Sequence, residues 1–532
     1  MKISSFPPRL AAKLLSLFSY VFLAVFLVAV VYVGLDPSQH KFKLYEAPIP
    51  VFVAAAALVV GVAWLVDQKS AAHKVLSRFY WAFVALGFVG TIMVQIGVAY
   101  ALKSSGYTWD SNIVFEQAVS YANTGAINPE LVSYFAINPN NIPILLILGS
   151  FFKAAKAIGI NDYLTAAVAL NVVVLLITQL TTFLTVKLLY GRMVAAVSMI
   201  FSFALITLTM YAQISYTDTL SILFPITMLY LTIHVARTGN PWLKILLSTI
   251  IGLLAVVGFL IKPTVIIALV AIGLVAVLGF MADWRSEKLR QRLIVALSCV
   301  VCCVAAMGLV YKSYPIVADH LYAVPFSVTK TAETSKPLLH FAAMGLKTVD
   351  YGNTVSYGGF NQADADNTVK LQGKQAKTDY SVMLIKQRLN EHGSVGYSKF
   401  LAHKTNWILS DGTFYAYGEG SNEAVKFTAQ DQISKHVRGF MYVEGKRYVF
   451  FSNVLQVFWV ALLLLIAVQL IIHIMHKASR ANAYAVLPRL MIAGILLFLL
   501  LFEGRSRYIF LYLPIFIVAA MYTLQWFRST AK

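Results

Sequence analysis

Charge is scarce in this chain. Asp, Glu, Lys and Arg make up 12% of the 532 residues and hydrophobic residues 59%, with a mean hydropathy of +0.73. Such a composition excludes an ordinary soluble domain. Acids are the scarcer sign, 23 against 43 bases. In a soluble protein the resulting +20 would suggest nucleic acid; here topology accounts for it and no nucleic-acid partner is expected. Cysteine is nearly absent. Cys299, Cys302 and Cys303 share one apolar run with no His or acid beside them, which argues for packing rather than a disulfide framework or metal site. There is no Gly-rich phosphate loop, zinc motif, Ser-His-Asp signature, internal repeat or low-complexity tract. Nucleotide-dependent chemistry is therefore not expected.

What the chain does have is long apolar runs near the roughly 20 residues that cross a bilayer. Spans are predicted near 14–33, 51–66, 79–101, 164–189, 194–212, 220–235, 243–260, 265–281, 293–311, 451–474, 490–502 and 509–527. The fold class is an all-α polytopic membrane protein with about 12 transmembrane helices. The first run follows Lys2, Arg9 and Lys13 and is not followed by a small-residue cleavage site, so it reads as an uncleaved anchor.

The short apolar run Ile142–Phe152 is ambiguous, and charge decides it. If it lies in the interface, both termini are cytoplasmic and 19 basic residues fall at inner ends against 8 in short outer connections, as the positive-inside rule requires. If it crosses, the basic run Arg285–Arg292 lands outside. The expected location is the plasma membrane, multi-pass.

One hydrophilic insert, Lys312–Val449, carries 12 of the 23 acids and by parity lies outside. It is expected to form a soluble domain of α/β or mixed type with its own small core. It includes an apolar-striped helix over Tyr380–Glu391. The chain thus divides into N-terminal spans (1–101), a first outer loop (102–163), a bundle (164–311), the insert (312–450) and C-terminal spans (451–532).

The outer loop, Tyr107–Ile144, is the stretch that organises the rest. Asp110 follows Trp109 and precedes an amphipathic helical pattern at Ile113, Phe115, Ala118 and Ala122. Asp110 can N-cap that helix or act as a base beside a lipid-borne substrate. Ionisable groups at a membrane edge are costly, and four more sites share this predicted face. Asp218 follows Ser215-Tyr216-Thr217; it can cap a helix. Lys262 stands before Pro263-Thr264; it can snorkel. The last turn reads Phe502-Glu503-Gly504-Arg505-Ser506-Arg507-Tyr508. Two arginines there oppose the charge trend, and guanidinium groups bind phosphate through a fork. A cavity with carboxylates and cations suits a phosphorylated lipid.

These residues resemble the integral-membrane C-type (GT-C) glycosyltransferases, especially bacterial enzymes that decorate cell-wall polysaccharides. More distantly, they are similar to the protein O-mannosyltransferases and the lipid A aminoarabinose transferase. The likeness runs over most of the chain and lies in the order of short motifs: Asp110, Asn140-Asn141-Ile142-Pro143, Lys262-Pro263-Thr264 and Arg505-Ser506-Arg507-Tyr508. His340–Leu346, Gly358-Gly359-Phe360-Asn361 and Asp411-Gly412-Thr413-Phe414 also fit the bacterial group. The mannosyltransferases and the aminoarabinose enzyme carry Asp-Glu in the first loop, whereas Ser111 follows Asp110 here; this points away from a protein or lipid A acceptor.

The resemblance implies a polyprenyl-phosphate-linked sugar as donor and a cell-envelope glycan as acceptor, at the outer face and with inversion. Asp110 is then the catalytic base, and Lys262, Arg505, Arg507 and Tyr508 hold the donor phosphate. Asp218, Asn140 and Asn141 orient the acceptor or help hold a divalent cation. No cofactor is certain and no metal ligand is assigned. The rival reading is a transporter or flippase of a lipid-linked saccharide, which predicts charges spread through the bundle and paired halves with broken helices. A scaffold protein of wall assembly would need neither Asp110 nor the arginine pair.

Overall fold

The computed structural model describes residues 9–35, 48–103, 109–282, 289–322, 331–350, 355–416, 427–475 and 483–530. Tyr107 lies outside them, as do Lys2, Lys41, Lys43, Arg285, Lys288, Lys477, Arg480 and Lys532, which are among the basic residues counted for the inner and outer ends.

Among the described residues ten helices are long and apolar enough to cross a membrane, or eleven if Arg192–Ala204 and Thr207–Gln213, bent by 53°, form one span. Ala485–Leu501 is a shorter apolar helix. Together these correspond one by one to the twelve predicted runs. The bent pair begins after Gly191, whose φ of 88° ends the preceding helix. The helix Pro241–Ile261 starts from Asn240, whose side chain accepts from the amides of Trp242 and Leu243, with Pro at the first helical position.

Burial orders the bundle. In the span Ser506–Arg528, 89% of the apolar window is buried, so this helix is the central post. In Arg290–Asp319 the figure is 0%, which places that helix at the rim where lipid is its solvent. It leans on Pro241–Ile261 at Gly252, where any Cβ would meet the Cys303 carbonyl at 2.5 Å. The cysteines therefore sit in a lipid-facing helix, at a close backbone crossing.

Trp109–Thr124 is a helix as expected, and Ile142–Ala157 packs against it. Asp110 lies inside the first turn of the former. The insert departs from expectation at its start, because one helix runs from Leu289 through Lys312 to Tyr322. Its described part is mainly helical, with one two-stranded antiparallel sheet pairing Thr348–Asp350 with Val355–Tyr357. The helix over Tyr380–Glu391 is present within Lys374–Leu409, which kinks at Gly393. Much of this segment is tied to the last transmembrane turn: Lys404 donates to the carbonyls of Gly345 (2.6 Å), Leu500 (3.1 Å) and Phe502 (2.7 Å).

Candidate functional site

The last turn is held in place by the insert. The Glu503 amide donates to the Phe341 carbonyl (2.9 Å) and the Gly504 amide to the Gly358 carbonyl (2.8 Å). Trp407 Nε1 donates to the Gly504 carbonyl at 3.0 Å. Gly358 has φ +69°, and a Cβ there would lie 2.4 Å from the Gly345 oxygen; only glycine fits. The segments His340–Leu346 and Gly358-Gly359 thus act as a clamp on the arginine turn. Burial lowers the pKa of the Lys404 ammonium in this clamp to about 7.

A second support comes from Asp411, which accepts from the amides of Thr413 (2.8 Å) and Tyr415 (3.0 Å) and from Ser506 Oγ (2.8 Å). The loop it organises carries Phe414 and Tyr415 at φ of 48° and 59°. Left-handed backbone at two successive non-glycine residues is strained. It places the Tyr415 ring under Arg505, whose guanidinium carbon lies 4.5 Å from the ring centroid.

Arg507 turns the other way. Its Nε donates to Asp218 Oδ2 at 2.9 Å, and Lys262 Nζ pairs with Asp218 Oδ1. Asp218 is 1% exposed and Lys262 9%. Lys262 reaches this position because it precedes Pro263, which keeps the preceding residue extended (φ −147°, ψ 107°) and ends the helix. Tyr512 ties the two hairpins by donating to the Thr264 carbonyl at 2.8 Å. Tyr508 completes the cluster. Lys262 Nζ lies 5.1 Å from its ring centroid, and its hydroxyl donates to Glu503 at 2.6 Å. A buried carboxylate is tolerable only with such pairing.

A polar path joins this cluster to Asp110. The Arg507 guanidinium sits 5.3 Å from the Tyr216 ring. Tyr216 donates to Asn141 Oδ1 (3.0 Å), Asn140 Nδ2 donates to the same oxygen (3.2 Å), and Asn141 Nδ2 donates to the Tyr134 hydroxyl (2.6 Å). The Asp110 charge acts on the Tyr134 hydroxyl at the end of this path. The pKa of that hydroxyl is raised by burial, then by Tyr216 and the Asp110 charge, so it stays protonated. Asp110 itself is exposed and follows Trp109 at φ 51°.

Beyond Asp110 opens a cavity of about 450 Å³, lined on one side by Asp110, Ile137 and Asn138 and on the other by residues of the insert. Among the latter is Lys336, whose ammonium pKa is lowered by burial against the charges of Asp110, Glu503 and Asp366.

All eight residues singled out in the sequence (Asp110, Asn140, Asn141, Asp218, Lys262, Arg505, Arg507 and Tyr508) therefore fall in one connected region. Sequence reasoning missed Tyr134, Tyr415 and Lys336 as its members, because each is an ordinary residue in an ordinary context. In the sequence Asp411 and Tyr216 are letters of short motifs, and nothing local assigns either a role.

Residues 8–529 match the family described as "Conserved hypothetical integral membrane protein". The chain belongs to that family and is an integral membrane protein. No curated protein matches it. Among solved structures it is similar to ArnT from Cupriavidus metallidurans bound to undecaprenyl phosphate, with 13% identity and a TM-score of 0.34, covering 85% of this chain and 79% of that one. The apo state of the same protein gives 12% identity and a TM-score of 0.30, covering 85% and 78%.

Proposed function

We propose that this protein is a membrane glycosyltransferase that moves a sugar from a polyprenyl-phosphate donor to a cell-envelope glycan, on the outer face of the plasma membrane. The observation that carries the reading is the buried pairing of Asp218 with Lys262 and Arg507, from which Tyr216, Asn141 and Tyr134 lead toward Asp110, whose charge acts on Tyr134. Two cations preset at one end and a carboxylate at the other match the two ends of a glycosyl transfer. The order of motifs shared with the C-type glycosyltransferases supports it.

In this mechanism the acceptor oxygen attacks the anomeric carbon, and its proton passes to the Asp110 carboxylate. The bond between that carbon and the phosphate oxygen breaks, with inversion, and the electron pair leaves with the lipid phosphate. Lys262 and Arg507 take up the growing charge from fixed positions in a poorly hydrated site, with Arg505 at the same turn. Asp218 serves as the resting counter-ion of the two cations, a role for which both its oxygens are already engaged. Asn140 and Asn141 keep Tyr134 and Tyr216 in line. Clustering of these groups at one end of the bundle favours this reading over a flippase, which needs charge along its whole path. The direct test is transfer of radiolabelled sugar from a polyprenyl-phosphate sugar by the purified protein to wall glycan. Absence of both transfer and lipid-phosphate binding would sink it.

A further inference from the structure

We infer that the cavity beside Asp110 is an acceptor subsite for a neutral pyranose unit of a glycan. Phe360 is its stacking face, and Lys336 and Asp366 are its polar grip. This rests on the transferase reading above and deepens it.

The volume of about 450 Å³ falls within the roughly 300–1,000 Å³ of small-molecule sites. One wall is apolar: Phe360, Ala365 and Val369 from the insert, with Ile137 opposite. The Phe360 side chain is 41% exposed, and an aromatic ring presents an electron-rich face to the C–H groups of a sugar ring. The polar part of the lining offers both donors and acceptors. Asp366 accepts from Gln362 Nε2 at 2.7 Å, which fixes its carboxylate at the rim. Lys336 forms no ion pair within 4 Å among the described residues, although three carboxylates, of Asp110, Glu503 and Asp366, act on it electrostatically. An ammonium so placed can donate to the hydroxyl next to the one whose proton Asp110 takes.

Charge balance selects the chemistry. Asp110, Asp366, Lys336 and Lys370 all line the cavity, two of each sign. An acceptor unit carrying phosphate or carboxylate meets as much repulsion as attraction, and like charges brought together in a cleft are penalised. A polyol needs donors and acceptors together and is matched on both.

The test uses the full-length protein in detergent with Gln362→Cys as a reporter on the cavity rim. The rate of maleimide labelling is read with a panel of neutral di- and trisaccharides and with glycerol-phosphate oligomers. At least one neutral sugar is expected to slow labelling about fivefold or more, the glycerol-phosphate oligomers not at all, and Phe360→Ala is expected to remove the protection. Lys370→Cys, at the other end of the same helix, serves if the first variant does not fold. Protection by the phosphate oligomers alone, or by nothing, overturns the subsite. Binding of polyprenyl phosphate by the same preparation separates the two readings. Lipid binding without sugar protection sinks only the subsite, and loss of lipid binding with protection kept sinks the transferase reading.

Discussion

Arg507 and Asp218, 289 residues apart in sequence, meet through a single hydrogen bond of 2.9 Å from Nε to Oδ2. Lys262 holds the other carboxylate oxygen. A phosphate group offers these cations the same kind of acceptor, so in the proposed mechanism the carboxylate and the donor phosphate share them. Removing one partner of a buried pair costs about 3–5 kcal/mol. Asp218→Asn is expected to lower the melting temperature of the purified protein, and polyprenyl phosphate is expected to restore it by a larger margin than it raises that of the wild type. Equal shifts in both proteins would show that the carboxylate and the lipid do not share these cations.

Replacing Arg507 by Lys keeps the charge and removes the planar fork. One charge-assisted hydrogen bond is worth about 1.5–3 kcal/mol. Arg507→Lys is accordingly expected to bind polyprenyl phosphate about tenfold or more weakly, as measured by lipid titration. Wild-type affinity would remove Arg507 from the phosphate site.

Asp110 lies within a helical first turn, and its charge acts on the Tyr134 hydroxyl. Asn keeps the shape and the ability to hydrogen-bond but cannot accept the proton. The Asp110→Asn variant should fold and bind the lipid donor while losing transfer by about 10²-fold or more. Near-normal transfer would leave Asp110 a structural role and move the search for the base elsewhere.

Gly358 touches no substrate in the proposed mechanism, yet it fixes the arginine turn through Gly504. Alanine there adds a left-handed penalty of roughly 1–2 kcal/mol and a contact of 2.4 Å with the Gly345 oxygen. The expected result for Gly358→Ala is weaker donor binding and a lower melting temperature together. A change in neither would mean the clamp is not what positions the arginines.

His340 is buried and paired with Thr368 Oγ1 at 2.9 Å. Burial, with the nearby Lys336 charge, lowers its pKa to about 4. The unfolded chain binds a proton near pH 6.5 that the folded one refuses, so stability falls as pH drops from about 6.5 and levels off below about 4. Melting curves across that window should show the wild type losing more than His340→Asn. Parallel curves would place the acid sensitivity elsewhere.

The sequence by itself determined the membrane architecture and the short lists of polar residues at its edges. Apolar length is a local property: a run such as 509–527 is long enough to span wherever it lies. Each of the twelve predicted runs has its counterpart, although the 53° bend in 194–212 was not legible in the sequence. Asp110, Asp218, Lys262, Arg505 and Arg507 were legible for a related reason: a charge at a membrane edge is expensive and therefore noticeable.

Tertiary structure alone decided how those residues combine. That Arg507 faces Asp218 while Arg505, two positions earlier, stacks on Tyr415 depends on the Asp411 loop and the Gly358 clamp, contacts 90 residues and more away in sequence. Tyr134 and Lys336 gain their meaning only from neighbours that folding supplies. The cavity exists because the insert closes over Asp110, and no local pattern encodes a space between two segments more than 200 residues apart.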